Sequence, residues 1–161
     1  MAPKQKPHKS EQNVATPWDF IAAVKRDFAV RTFSWDLAAT AENSKADVSR
    51  YYLGPGSEFG DDSLATAWPF DGDCWLNCEF GDIAPWAKKC AEQKRHGRIF
   101  LLTPSSTGAD WFVRYVLNRA HVVAVAPRVK FVGHTHPFPK DLTLSVFSSV
   151  VGGVSTWRWK P

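Results

Sequence analysis

Hydrophobic positions along this chain switch repeatedly between a helical and an extended period. Phe20, Ile21, Val24 and Phe28 recur three and four apart, which gives one buried helical face with Lys25, Arg26 and Asp27 mostly outside. Thr16-Pro17-Trp18-Asp19 supplies the start signals: a hydroxyl to cap, proline at the first helical position and an acid three after the cap. Residues 33–37 alternate and are rich in aromatics, as a strand requires, and the small Ala38-Ala39-Thr40 beyond them let a ligand or helix approach the backbone. Residues 42–52 read as a short helix or an irregular crossover. The turn formers that follow make 54–73 an expected mobile loop.

Trp75 and Leu76 mark a second strand, and Asp82 is placed to cap a helix with Pro85 in its first turn and Gly97 past its end. Ile83, Trp86, Ala87, Cys90 and Ala91 form the buried stripe of that helix. The continuous apolar run at 99–102 suits a strand covered on both faces, 110–117 carries another helical stripe, and 122–125 is a fourth strand. This alternation predicts an α/β domain in three layers, with right-handed crossovers, a mostly parallel sheet and helices on both faces. At the carboxyl end, 129–131, 142–147 and 156–159 read as strands joined by Gly and Pro turns and are expected to pair antiparallel. One domain is expected over 14–161, preceded at 1–13 by a flexible basic leader carrying Lys4, Lys6, His8 and Lys9.

Composition adds a partner and removes several classes. A formal net charge of +4 and a pI near 9.1 suit a polyanion such as DNA. Eight Trp and eleven Phe serve a core or flat ligands equally well. The three cysteines, Cys74, Cys78 and Cys90, fall in one segment with no hydrophobic signal region ahead of them, so a reducing cytoplasm is expected and a disulfide framework is not. No metal site is expected, because no paired Cys-x-x-Cys spacing accompanies His134 and His136. No apolar run approaches the roughly 20 residues of a membrane helix. Oligomeric state is unreadable.

The strand at Trp75 runs into Asn77-Cys78-Glu79-Phe80, a side-chain amide and an aromatic ring at the carboxyl edge of a sheet, where open α/β sheets bind ligands. Asn77 is also a common turn residue, Asp36 could cap a helix, and Phe80 could pack inward. Cys78 lacks the neighbouring cation that a reactive thiolate needs. Arg128 and Lys130 are candidate phosphate contacts that position DNA without reading it. Trp157-Arg158-Trp159-Lys160 suits either a nucleic-acid backbone or an edge strand.

Taken in order, these fragments resemble the phage-type DNA adenine-N6 methyltransferase family from Thr16 to about Phe147. Thr16-Pro17 stands where that family opens its domain. Asp36-Leu37-Ala38-Ala39-Thr40-Ala41-Glu42-Asn43 matches its acid, small residues and Asn; Tyr51-Tyr52, Asp62-Ser63-Leu64 and Trp68 follow. The family motif Asn-Pro-Pro-Tyr or Asn-Pro-Pro-Phe reads Asn77-Cys78-Glu79-Phe80 here, with Ile83 and Trp86 in place. Leu101-Leu102-Thr103-Pro104-Ser105-Ser106, Trp111-Phe112, Arg128-Val129-Lys130-Phe131 and Pro139-Lys140-Asp141 complete the series.

The resemblance implies a Rossmann-like class I methyltransferase fold and methyl transfer from S-adenosylmethionine to N6 of an adenine flipped out of double-stranded DNA. It implies a phage or prophage origin, and with it the bacterial host cytoplasm. Asn77 and the main-chain carbonyl of Cys78 would accept the amine hydrogens, and Phe80 would stack on the base. Thr16, Pro17, Asp36, Ala38, Ala39 and Asn77 would form the cofactor site; Arg128, Lys130, Arg158 and Lys160 would meet DNA. Cys78-Glu79 replaces two prolines that would otherwise preorganise the turn. Glu79 could repel phosphate, accept the amine proton or point into solvent. The alternatives to the methyltransferase reading are a catalytically impaired DNA-binding or regulatory relative and an enzyme modifying a different acceptor. Sequence specificity is expected to be short or relaxed, read by 54–73 and the termini.

Overall fold

Successive side chains of a strand face opposite sides of its sheet, and in this protein both sides are apolar, so two cores form. The computed structural model describes residues 14–69, 71–93, 97–150 and 152–161; the leader expected at 1–13 lies outside them. The elements are α1 (Trp18–Asp27), β1 (Phe33–Asp36), β2 (Asp73–Leu76), α2 (Ala84–Glu92), β3 (Ile99–Pro104), α3 (Asp110–Tyr115), β4 (His121–Ala126), β5 (Leu142–Phe147) and β6 (Val154–Arg158). They build one six-stranded sheet in the order β1-β2-β3-β5-β4-β6.

Strand β1 is parallel to β2, β2 to β3 and β4 to β6, while β5 runs antiparallel to both its neighbours. All strands but β5 therefore end at one edge of the sheet. Trp75, Phe100, Leu102 and Leu144 pack with Phe20, Ile21 and Val24 of α1 on one face. Cys74, Leu76, Ile99 and Leu101 pack with Ala87 and Cys90 of α2 and Phe112 of α3 on the other. The three-layer α/β architecture expected from the alternation of elements is the one observed.

The structure corrects the sequence reading at several points. Residues 129–131 are not a strand: Val129 and Phe131 are buried on either side of an exposed Lys130, but Val129 O accepts from Phe138 N and the segment is a loop. Strand β6 pairs parallel with β4 rather than antiparallel, and Val122 N at the amino end of β4 donates to Gly153 O just before β6. Neither helix is capped by the expected side chain. Pro17 occupies the cap position of α1 and Ile83 that of α2, and no side-chain oxygen caps either, so Thr16 and Asp82 do not. Residues 42–52 form the irregular crossover, fastened where Asp47 accepts from Lys25 Nζ (2.7 Å) and Phe33 N (2.6 Å).

Among the described residues of 54–72 there is no helix or strand, but the segment is pinned at its middle. Ser63 Oγ donates to Leu37 O (2.5 Å), Trp68 is buried, and Lys89 Nζ of α2 donates to Ser63 O, Leu64 O and Thr66 O. Among the described residues no helix is long and apolar enough to cross a membrane.

Candidate functional site

The parallel strands β1 and β2 end side by side. A cavity of about 220 Å³ lies at this carboxyl edge of the sheet. Asp36, Ala38 and Ala39 line it from the end of β1, Asn77 and Glu79 from the end of β2, Val14 to Thr16 from the segment before α1, and Asp61 to Ser63 from the long loop. Its floor is built by backbone pairing: Asp36 N donates to Tyr51 O, Leu53 N to Asp36 O, and Ala39 N to Leu53 O. Gly54 follows at φ +140°, and a Cβ there would lie 2.2 Å from Ala39 O, so this close approach admits only glycine.

Thr16, denied a capping role, reaches the site. Asn77 Nδ2 donates to Thr16 Oγ1 at 3.0 Å and to Val14 O at 3.3 Å. A backbone carbonyl can only accept, so the Val14 bond fixes which end of the amide is nitrogen and turns Oδ1 the other way. The side chain is thus a positioned acceptor on a residue that lines the cavity.

Asp36 is 2 % exposed; its Oδ2 accepts from Lys45 N at 2.8 Å and its Oδ1 from Ala38 N at 3.2 Å. Burial pushes the carboxyl up to about 7, against the opposing pull of these bonds and of the Lys45 charge. Desolvation also lowers the Lys45 ammonium, while Asp36 partly restores it. A buried acid near neutrality is stabilised in its ionised form by any cation that enters.

The turn Asn77-Cys78-Glu79-Phe80 is held in place by packing. Cys78 is buried in the α2-side core, and desolvation pushes its thiol up to about 12, so it stays protonated and acts as a small apolar side chain. Glu79 is exposed and lines the cavity. The half-buried Phe80 meets Phe138 at 5.4 Å and Phe131 at 6.3 Å between ring centroids, edge to face, so the loop after β4 grips the turn after β2.

The candidate residues divide into two places. Thr16, Asp36, Ala38, Ala39, Asn77 and Glu79 converge on the cavity; Pro17, Cys78 and Phe80 adjoin it without lining it. Arg128, Lys130 and Lys160 are exposed beyond the ends of β4 and β6 and Arg158 is exposed as the last residue of β6, Arg128 beside Asp141 at 3.0 Å and Lys160 beside Asp19 at 3.1 Å. Trp157 and Trp159 belong to the core: both rings pack on Phe20, and their Nε1 atoms donate to Asp27 and to Pro127 O.

Sequence reasoning missed Lys45, Asp61 and Trp86 as lining residues. No local signal in the sequence marks Lys45, which the irregular crossover delivers. Among the described residues no group of three or more His, Cys, Asp or Glu is placed to hold a metal ion. The arrangement offers a fixed acceptor and a buried acid, with the adjoining thiol inert, which suits transfer between two bound partners rather than covalent catalysis.

A family model described as DNA N-6-adenine-methyltransferase (Dam) matches residues 4–141. No curated protein matches the chain.

Proposed function

Because the chain belongs to the DNA N-6-adenine-methyltransferase (Dam) family, we propose that it transfers a methyl group from S-adenosylmethionine to N6 of an adenine flipped out of duplex DNA. The observation that carries this reading is the fixed amide of Asn77 in a cavity that also holds the buried acid Asp36.

The residues present fit the cofactor. Asp36 answers a cationic ligand, and Ala38 and Ala39 leave room beside it. When bound, S-adenosylmethionine supplies an electrophilic methyl on a positively charged sulfur. Asp36, Ala38, Ala39 and Asn77 would hold it, with Thr16 orienting the Asn77 amide.

The amine of adenine is conjugated with its ring and attacks poorly, so this chain's task is to aim it. Asn77 Oδ1 accepts one amine hydrogen, and the main-chain carbonyl of Cys78 accepts the other. Both acceptors favour the pyramidal nitrogen of the transition state. The base leaves the duplex to reach them and lies against Phe80, whose ring Phe131 and Phe138 hold still. After transfer the surplus proton leaves through the cavity mouth, where Glu79 stands. Arg128, Lys130, Arg158 and Lys160 meet phosphates on the same edge of the sheet.

Nucleoside mass spectrometry of DNA from cells expressing the protein tests this reading, with Asn77→Ala as the control. N6-methyladenine is expected with the parent and a loss of about 100-fold or more with the variant. Unmodified DNA beside a folded protein that binds the cofactor would overturn the acceptor, and no cofactor binding would overturn the reading as a whole.

A further inference from the structure

A lysine buried at 4 % exposure needs a partner for its ammonium, and Lys45 has an incomplete one. Its main chain is committed, since Lys45 N donates to Asp36 Oδ2. Its Nζ lies 4.1 Å from the centroid of the Trp18 ring, and Trp18 itself is 58 % exposed. The ring offers the ammonium a negative face but no hydrogen-bond acceptor, which offsets only part of the cost of burial. Among the described residues no ion pair includes Lys45. The residue lines the cavity.

We propose that Lys45 binds the carboxylate of the methyl donor's amino-acid end, with the Trp18 face as its backstop. This inference rests on the methyl-donor reading of the cavity. The charges around Lys45 choose the kind of anion. Asp61, Asp62 and Glu79 line the same cavity, so a free phosphate or a nucleic-acid backbone would be repelled there. A carboxylate that arrives on the same molecule as an ammonium is tolerated, because the acids of the cavity meet the cation while Lys45 meets the anion. The lowered proton affinity of the Lys45 amine has the same origin: it is desolvated before its partner arrives.

Equilibrium calorimetry on the full chain tests the pairing with two probes, S-adenosylmethionine and its decarboxylated form, which lacks only the proposed partner. The ratio of the two affinities is expected to fall about tenfold in Lys45→Met relative to the parent, chiefly through weaker binding of the carboxylated probe. Lys45→Gln serves if thermal unfolding shows Lys45→Met to be unstable. An unchanged ratio in the folded variant would overturn the assignment of Lys45 while leaving the methyl-donor cavity standing. If the parent binds neither probe, the cavity is not a methyl-donor site and the inference falls with it.

Discussion

The amide of Asn77 has two ends, and the chain commits the nitrogen end to Val14 and Thr16. Thr16→Val keeps the shape of a side chain that is 2 % exposed but removes the hydroxyl, leaving the Val14 carbonyl alone to orient the amide. One such bond is worth roughly 1 kcal/mol, so turnover should fall about five- to tenfold, with cofactor affinity within about twofold and Thr16→Ser close to parent. Steady-state kinetics beside calorimetry decides it: lost affinity with unchanged turnover would mean that Thr16 serves the cofactor instead. Asp36 makes a prediction in pH. Its folded carboxyl keeps a proton up to about 7, whereas the unfolded chain releases it near 3.8. Between those values the native state binds more protons, so this residue's contribution to stability is greatest below both and is lost as pH rises through about 7. Cofactor binding runs the other way. A cation at Asp36 favours the ionised acid, so affinity should rise by up to about tenfold per pH unit as pH climbs toward 7 and flatten above it. Calorimetry across that range checks this, with Asp36→Asn expected to be weaker and pH-independent; an equally flat parent would contradict it.

Whether an element was legible in the sequence depended on whether its signals were local. Strands β3 and β5 declare themselves by apolar content, and α1 by a stripe ending at Phe28, because burial on a sheet face imposes a pattern on neighbouring positions. The 129–131 segment shows the limit. It alternates buried, exposed and buried like a strand, yet it is a loop whose Phe131 is inserted against Phe80. Alternate burial records an extended backbone and not its pairing partner. The same limit applies to β6. A short link after β5 reads as a hairpin, but β5 is already paired on both sides, so β6 joins the free side of β4 and seals α1 with Trp157 and Trp159. Thr16 was visible as a hydroxyl seeking an N–H. Which N–H it meets is decided 61 residues away, at Asn77. The candidate site was legible because its acid, amide and small residues lie at strand ends, where sequence position predicts spatial position; Lys45 was not, because an irregular crossover delivers it.

Charge is sorted across the whole molecule. The cavity is lined by Asp36, Asp61, Asp62 and Glu79 against Lys45, while Arg128, Lys130, Arg158 and Lys160 stand exposed farther along the same edge. Sheet order fixes the distance between the two regions. Strands lie about 4.8 Å apart, so from β2 to β4 is roughly 14 Å and to β6 roughly 19 Å. At about 3.4 Å per base pair, the basic residues would stand some four to six base pairs from a base held at the cavity in the proposed complex. In the proposed complex the acidic interior would keep phosphates out of the cofactor's space, and the basic rim would draw the duplex over it. Two of the rim residues are paired, Arg128 with Asp141 and Lys160 with Asp19, but these pairs are solvent-exposed and hold their cations weakly. Changing all four to Gln should therefore reduce the slope of log affinity against log salt by about 2 to 4, at about 0.9 for each phosphate no longer neutralised. Fluorescence anisotropy with a labelled duplex at several salt concentrations measures the slope. Because none of the four lines the cavity, cofactor affinity should stay within about twofold of the parent. An unchanged slope would mean that DNA approaches by another face, and the four to six base pairs derived from the sheet order would no longer describe the footprint.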